Sequence, residues 1–249
     1  SSYALKKPVL TEHIAITNCI ITGYKLGSLL DGSYIPEPVS WVCGRFKLGT
    51  ESNGGYKNIS LSNCTFMYSS GLAFEEVDQG IMENITVSNI TMNHVHHYPI
   101  YITTGCRNRG PKERTTVSTG RDIMISNMVA NDVDSLAGII VTGMPDEPLR
   151  NISLNNIQLQ FRGGGTADLA KREYREQGKN YPEAKFAKAT PAYGLFARHV
   201  DGLEVNNVTF RTMKPEYRPA MMLIDVKNES INDVQADLQK GVKKLVVKK

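Results

Sequence analysis

Apolar and polar residues alternate in short bursts along this chain, and the bursts close on asparagine. The phrase reads "HIAITNCI" from His13, "NISLSNCT" from Asn58, "NITVSNIT" from Asn84, "DIMISNMV" from Asp122, "NISLNNIQ" from Asn151 and "GLEVNNVT" from Gly202. Strict alternation over five residues predicts a half-buried strand. An asparagine at a fixed place between two such runs predicts a bend, because Asn tolerates left-handed backbone angles and its amide bonds nearby backbone. The closing asparagines, Asn18, Asn63, Asn89, Asn127, Asn156 and Asn207, are spaced by 45, 26, 38, 29 and 51 residues. A basic period near 26, with loops inserted in some turns, predicts an all-β fold: a parallel β-helix whose stacked amides form a ladder. A β-sandwich is the competing fold, but it would not return the same Asn phrase at every second or third strand. The many N-x-S/T matches follow from these bends rather than from glycosylation.

Two segments break the rhythm. Residues 24–43 carry Pro, Gly, Tyr24, Tyr34 and the single Trp41. Residues 163–192 open with "GGGT", and within them Ala167 to Gln177 predicts one short helix, capped by Thr166 and stopped by Gly178. Long insertions in a solenoid are usually loops on one face and often wall a binding site. One domain is expected over 1–238, followed by a solvated basic tail over 239–249 that ends "KGVKKLVVKK".

Composition narrows the classes. With 249 residues, 41% hydrophobic and 22% charged, the chain is long and apolar enough for one large core. The net charge of +4 is mild, and Lys and Arg do not cluster with aromatics, so no nucleic-acid partner is expected. No apolar run approaches the ~20 residues that cross a bilayer, so no membrane partner is expected either. The start, "SSYALKKPVL", lacks Met and runs almost directly into a strand pattern, which reads as a cropped chain. Of the four cysteines, Cys19, Cys43, Cys64 and Cys106, none forms a CxxC pair, so no zinc or other cofactor is called for. Cys19 and Cys64 share a local context, which predicts stacked structural positions.

At "GRFKLGTESNGGYKNISLSNCTF" (Gly44 to Phe66) and the following "GLAFEEVDQGIMENITVSNITM", the sequence resembles glycoside hydrolase family 28, the polygalacturonase and rhamnogalacturonan hydrolase family. "YPIYITTGCRNRGP", "AGIIVTGMPDEPLRNISL" and "TPAYGLFARHVDGLEVNN" resemble the same family, and the likeness spans nearly the whole chain. It implies a right-handed parallel β-helix, a secreted or periplasmic location, and hydrolysis of a pectic polysaccharide or oligosaccharide by direct displacement with inversion. The family's N-T-D and D-D segments, which bear its acid and base, have no counterpart here, and neither does its G-H-G histidine. "SSYALKKP" resembles the stretch immediately C-terminal to the D-D strand, so the resemblance places the catalytic coils upstream. The family's R-I-K signature, which holds the uronate carboxylate, aligns on "GLAFE" and puts Ala73 at the Arg and Glu75 at the Lys.

Candidate chemistry gathers around that alignment. Alternation points Leu72 and Phe74 inward, and Ala73 and Glu75 outward toward a cleft. Glu76 and Asp78 come where the strand turns and read as solvent or bend groups. Glu75 is a weak candidate for the acid or base; the alternative is a solvated turn. An inverting pair needs carboxyls ~6.5–9.5 Å apart. Arg45 and Lys47 point outward one coil earlier, and Tyr101, Arg107 and Arg109 come one coil later. These six, Arg45, Lys47, Glu75, Tyr101, Arg107 and Arg109, are the candidate substrate contacts, with a surface ladder as the alternative for Arg45 and Lys47 and loop packing as the alternative for Arg107 and Arg109. Tyr24, Tyr34 and Trp41 are candidates for stacking on sugars or for loop packing. His94 and His96 alternate onto one face without a suitable acidic partner, which reads as a polar corner rather than a metal site. His199 reads as a buried, satisfied histidine. A non-catalytic carbohydrate-binding β-helix is the rival function, and a calcium-dependent lyase a weaker one.

Overall fold

The computed structural model describes residues 7–28, 30–36, 44–109, 117–136, 138–182 and 189–248; the side chains of 24–26 and of residue 36 are outside the description, as are Trp41 and Cys43. The strands are β1 (Thr11–Thr17), β2 (Ile20–Thr22), β3 (Tyr24–Leu26), β4 (Ile35–Pro36), β5 (Arg45–Leu48), β6 (Tyr56–Met67), β7 (Gly71–Glu76) and β8 (Ile81–Val95). They continue as β9 (Ile100–Thr104), β10 (Thr119–Val133), β11 (Ile139–Thr142), β12 (Leu149–Phe161), β13 (Leu195–Thr212), β14 (Met221–Ala236) and β15 (Leu245–Lys248). Thirteen of them form one sheet ordered β1-β6-β8-β10-β12-β13-β11-β9-β7-β5, with β14, β15 and β2 attached. Every pairing in that sheet is parallel, and only the β3–β4 hairpin in the first insertion is antiparallel. This is a parallel β-helix. The long strands β6, β8, β10, β12 and β13 carry one strip, the short β5, β7, β9 and β11 a second, and β13 and β14 run through both.

The asparagines make the corners. Asn18, Asn63, Asn89, Asn127, Asn156 and Asn207 all have φ between 51° and 57°, angles that cost most L-residues roughly 1–2 kcal/mol and Asn less. Four amides close a ladder: Asn89 donates to Asn63 at 3.0 Å, Asn127 to Asn89 at 3.1 Å, Asn156 to Asn127 at 2.7 Å, and Asn207 to Asn156 at 3.0 Å. At the first coil the ladder detours: Asn63 donates to the Thr17 hydroxyl at 3.4 Å, and Thr17 to Asn18 Oδ1 at 3.3 Å. The first letter of each phrase is a second left-handed column, His13, Asn58, Asn84, Asp122, Asn151 and Gly202, extended by Asn228. Between the two columns the inward residues stack as Ile59, Ile85, Ile123, Ile152 and Leu203, and as Leu61, Val87, Ile125, Leu154 and Val205, all buried. Cys19 and Cys64 sit in adjacent register, and Cys19, Cys64 and Cys106 are free thiols.

The two ends differ. The first core column reaches β1 at Ile14, which is 36% exposed against 2% for Ile59 one coil on. At the far end the position after Leu203 is the exposed Glu229, a polar cap. The expected solvated tail over 239–249 is corrected: Leu245–Lys248 is strand β15, registered on Met221–Ile224, with Leu245 packed against the core. Its "LVV" alternation supplies one inward-facing leucine, enough to extend the sheet by a strand. The expected helix over 167–177 is also corrected. Only a single 3-10 turn, Leu169–Lys171, forms there, and from Tyr174 onward the chain bonds to the strands beneath instead of to its own next turn.

Candidate functional site

Register along the second strip confirms the expected facing. Lys47, Ala73, Tyr101, Ile140, Phe196 and Met222 form one outward column, and Glu75, Thr103, Thr142 and Arg198 the next. Leu48, Phe74, Ile102, Val141 and Ala197 lie between them and face the core. Arg45 is half-buried at the first position of β5, two residues before Lys47 on the same side. The outward columns of Lys47, Glu75 and Tyr101 are thus brought together as the sequence predicts.

The expectation of an open cleft over them is corrected. Residues 174–181 cross the strip as a strap. At its start Tyr174 packs on Phe196 with ring centroids 5.0 Å apart, and Arg198 donates to the carbonyls of Tyr174 at 2.6 Å and Arg175 at 3.0 Å. Glu176 meets Arg198 at 3.0 Å and His199 Nε2 at 3.2 Å, while His199 Nδ1 faces Asp225 at 2.7 Å. Further along, the Tyr101 hydroxyl donates to Gln177 at 3.2 Å, and the Cys106 N–H donates to the Gly178 carbonyl at 2.8 Å. Beneath the strap Tyr98, Tyr101, Ile140, Ala192, Phe196 and Met222 form a second, smaller apolar core. The reason is compositional: this outward column is mostly apolar, and an apolar column on both sides of a strip must be covered on both.

Over β5, β7 and β9 the covered face turns polar. Glu75 is fully buried; its Oε2 meets Lys47 Nζ at 2.7 Å and accepts from Thr50 at 3.0 Å. Asp78, also fully buried, takes the fork of Arg107: Nε donates to Oδ1 at 3.0 Å and Nη2 to Oδ2, while the Arg109 N–H adds 3.1 Å to Oδ1. Such bidentate, charge-assisted pairing is the strong form of the guanidinium–carboxylate contact. The Arg109 side chain turns outward to Glu51 at 3.0 Å, both ends more than half exposed. The ring of Tyr181, 48% exposed, lies 5.3 Å from the Arg107 guanidinium and 6.0 Å from Lys47 Nζ. Glu76 points into the turn. Its Oε1 accepts from Ser52 at 2.7 Å and from the N–H groups of Gly80 at 3.1 Å and Asp78 at 3.2 Å. Burial nevertheless dominates those bonds and raises its pKa to about 8. Of the solvent or bend roles expected for Glu76 and Asp78, the bend role holds, since both accept from backbone N–H groups of the turn and the loop beyond, while solvation is corrected: both are buried.

Chemically, the patch is a set of internally matched charges roofed by one tyrosine. The carboxylates of Glu75 and Asp78 are engaged by cations and hydroxyls of their own chain and closed off from solvent, so an acid–base role for Glu75 has no open path to a substrate. Thr50, Gln177 and Tyr181 belong to this patch and escape a reading by alternation, since all three lie outside strands. The only hint in "REYREQGKNYPE" is the pair of tyrosines in a charged stretch that carries no apolar face of its own. Elsewhere, His94 is left-handed at φ 55°, stacks on Tyr68 at 4.5 Å and meets Asp132 at 2.5 Å, while His96 is buried. Tyr34 hydrogen-bonds Tyr68 at 2.8 Å in the same corner. Among the described residues no cluster of His, Cys, Asp or Glu is arranged to hold a metal. An open groove of about 590 Å³ lies on the other strip between Thr86, Met124, Ser153 and Glu204, away from every candidate residue. Comparisons with protein families, with curated proteins and with solved structures give no match to this chain.

Proposed function

We propose that this chain is the glycan-holding part of a pectin-type glycoside hydrolase, with the acid and base carried by coils that stack on β1. The observation that carries this reading is the gathering of Lys47, Glu75, Tyr101, Arg107 and Arg109 with Tyr181 on one face of three consecutive coils. A partly exposed aromatic ring bounded by fixed polar groups is what a sugar site requires: an apolar platform for one face and oriented partners at its rim. The resemblance to glycoside hydrolase family 28 supplies the polysaccharide, the inverting displacement and the secreted or periplasmic setting.

A second reading is favoured by the burial of Glu75 and Asp78: a carbohydrate-binding β-helix without catalysis. One experiment separates them. Reducing ends released from galacturonan and rhamnogalacturonan are measured for this chain and for the chain extended by N-terminal coils of its parent gene. Hydrolysis by the extended form only is expected. Binding without hydrolysis by either form selects the second reading, and hydrolysis by the present chain that Glu75→Gln abolishes overturns the placement of the acid and base.

A further inference from the structure

We infer that the face beneath Tyr181 receives a neutral glycosyl residue rather than a uronate, an inference that rests on the glycan-holding reading above. Among the described residues, four cations that approach this face are already matched. Lys47 is paired with Glu75 at 2.7 Å, Arg107 with both oxygens of Asp78, Arg109 with Glu51 at 3.0 Å, and Arg198 with Glu176 at 3.0 Å. The first two pairs are held in place by more than charge. Glu75 also accepts from Thr50 at 3.0 Å, Asp78 from the Arg109 N–H at 3.1 Å, and Arg107 donates to the Thr50 carbonyl at 3.3 Å.

A uronate carboxylate entering here meets cations whose field is cancelled by fixed anions. To be clamped by Lys47 or Arg107 it must displace Glu75 or Asp78, each fully buried, and leave a bare carboxylate behind, and at Arg109 it must compete with Glu51. A neutral sugar carries no such demand. Its hydroxyls bond the outer edges of Lys47, Glu51 and Arg109, and its apolar face lies on the exposed part of the Tyr181 ring. Lys47 keeps 17% of its side chain accessible, Arg109 59% and Glu51 55%, so these groups are within a ligand's reach while their charges stay balanced.

The test compares two probes that differ only in charge: tetragalacturonate and its carboxyl-reduced, neutral counterpart, titrated into the full 249-residue chain by calorimetry at low salt. The neutral probe is expected to bind at least about tenfold tighter, with an affinity unchanged between low and high salt. Glu51→Gln, at a pair exposed enough not to threaten folding, is expected to unmask Arg109 and raise affinity for the acidic probe several-fold, narrowing the gap between the two probes. Equal or tighter binding of the acidic probe by the unaltered chain overturns the inference and leaves the glycan reading standing. An acidic probe indifferent to Glu51→Gln also counts against it. Failure of both probes to bind removes the glycan reading itself.

Discussion

Replacing Asn127 tests the corner that builds this fold. Its φ of 53° is left-handed, it donates to Asn89 at 3.1 Å, and it accepts from Asn156 at 2.7 Å. The ladder is exposed, so each bond is worth roughly 0.5 kcal/mol, the low end for a net hydrogen bond. Asn127→Gly removes both bonds and keeps the angle free, with a small added entropy cost; a loss of about 1–1.5 kcal/mol is expected. Asn127→Ala removes the same bonds and adds roughly 1–2 kcal/mol for a left-handed Cβ residue, for a loss of about 2–3 kcal/mol. Urea unfolding monitored by far-ultraviolet circular dichroism reads the difference between the two variants. Alanine must be clearly worse than glycine. If the two are equal, or alanine is the milder, the backbone angle is not what selects asparagine here, and the corner argument fails.

Three further outcomes concern buried groups. Glu76 has its pKa raised from 4.5 to about 8 by burial, so the folded state binds the proton more tightly than the unfolded state; stability is highest at low pH and falls as pH rises from 4.5 toward 8. Glu76→Gln is expected to flatten that decline by a few kcal/mol at most, read as unfolding midpoints at pH 5 and pH 8. Glu216 and Arg218, each 1% exposed and joined by bonds of 2.9 Å, tie Gly165, Leu136 and Thr190 together. Arg218→Met alone leaves a buried carboxylate and is expected to cost about 3–5 kcal/mol, whereas Arg218→Met with Glu216→Leu should recover much of it. Tyr174→Ala removes the ring that packs on Phe196; limited proteolysis is expected to cut the variant within 174–181 far faster than the parent chain.

The stacked coils are legible in sequence because a left-handed corner repeats a residue type, and repetition survives insertions of any length. Asn63 and Asn89 announce themselves through their neighbours, whatever lies between them. Alternation likewise places Leu72 and Phe74 inside and Glu75 outside. It cannot say what lies over the outer side, and so, of the residues read as facing a groove, Glu75 is found buried against Lys47 and Thr50, and Tyr101 beneath a strap whose own sequence, "YREQGKNY", has no period. That strap is held by contacts of Tyr174, Arg175, Glu176, Gln177 and Gly178 to residues far from them in sequence, which no local pattern encodes. His94 shows the reverse failure: its left-handed angle breaks the alternation that would put it on one face with His96. The last strand is missed because its lysines read as solvated, although alternate residues of "LVVK" still face inward or pair in register.

The most direct test of the account is hydrogen–deuterium exchange of the full chain with and without the carboxyl-reduced tetragalacturonate. Protection is predicted in 45–48, 71–78, 101–109 and 174–182, where the strap meets the three polar coils. Protection confined to the opposite groove around Thr86, Met124, Ser153 and Glu204, or absent altogether at saturating probe, would contradict it.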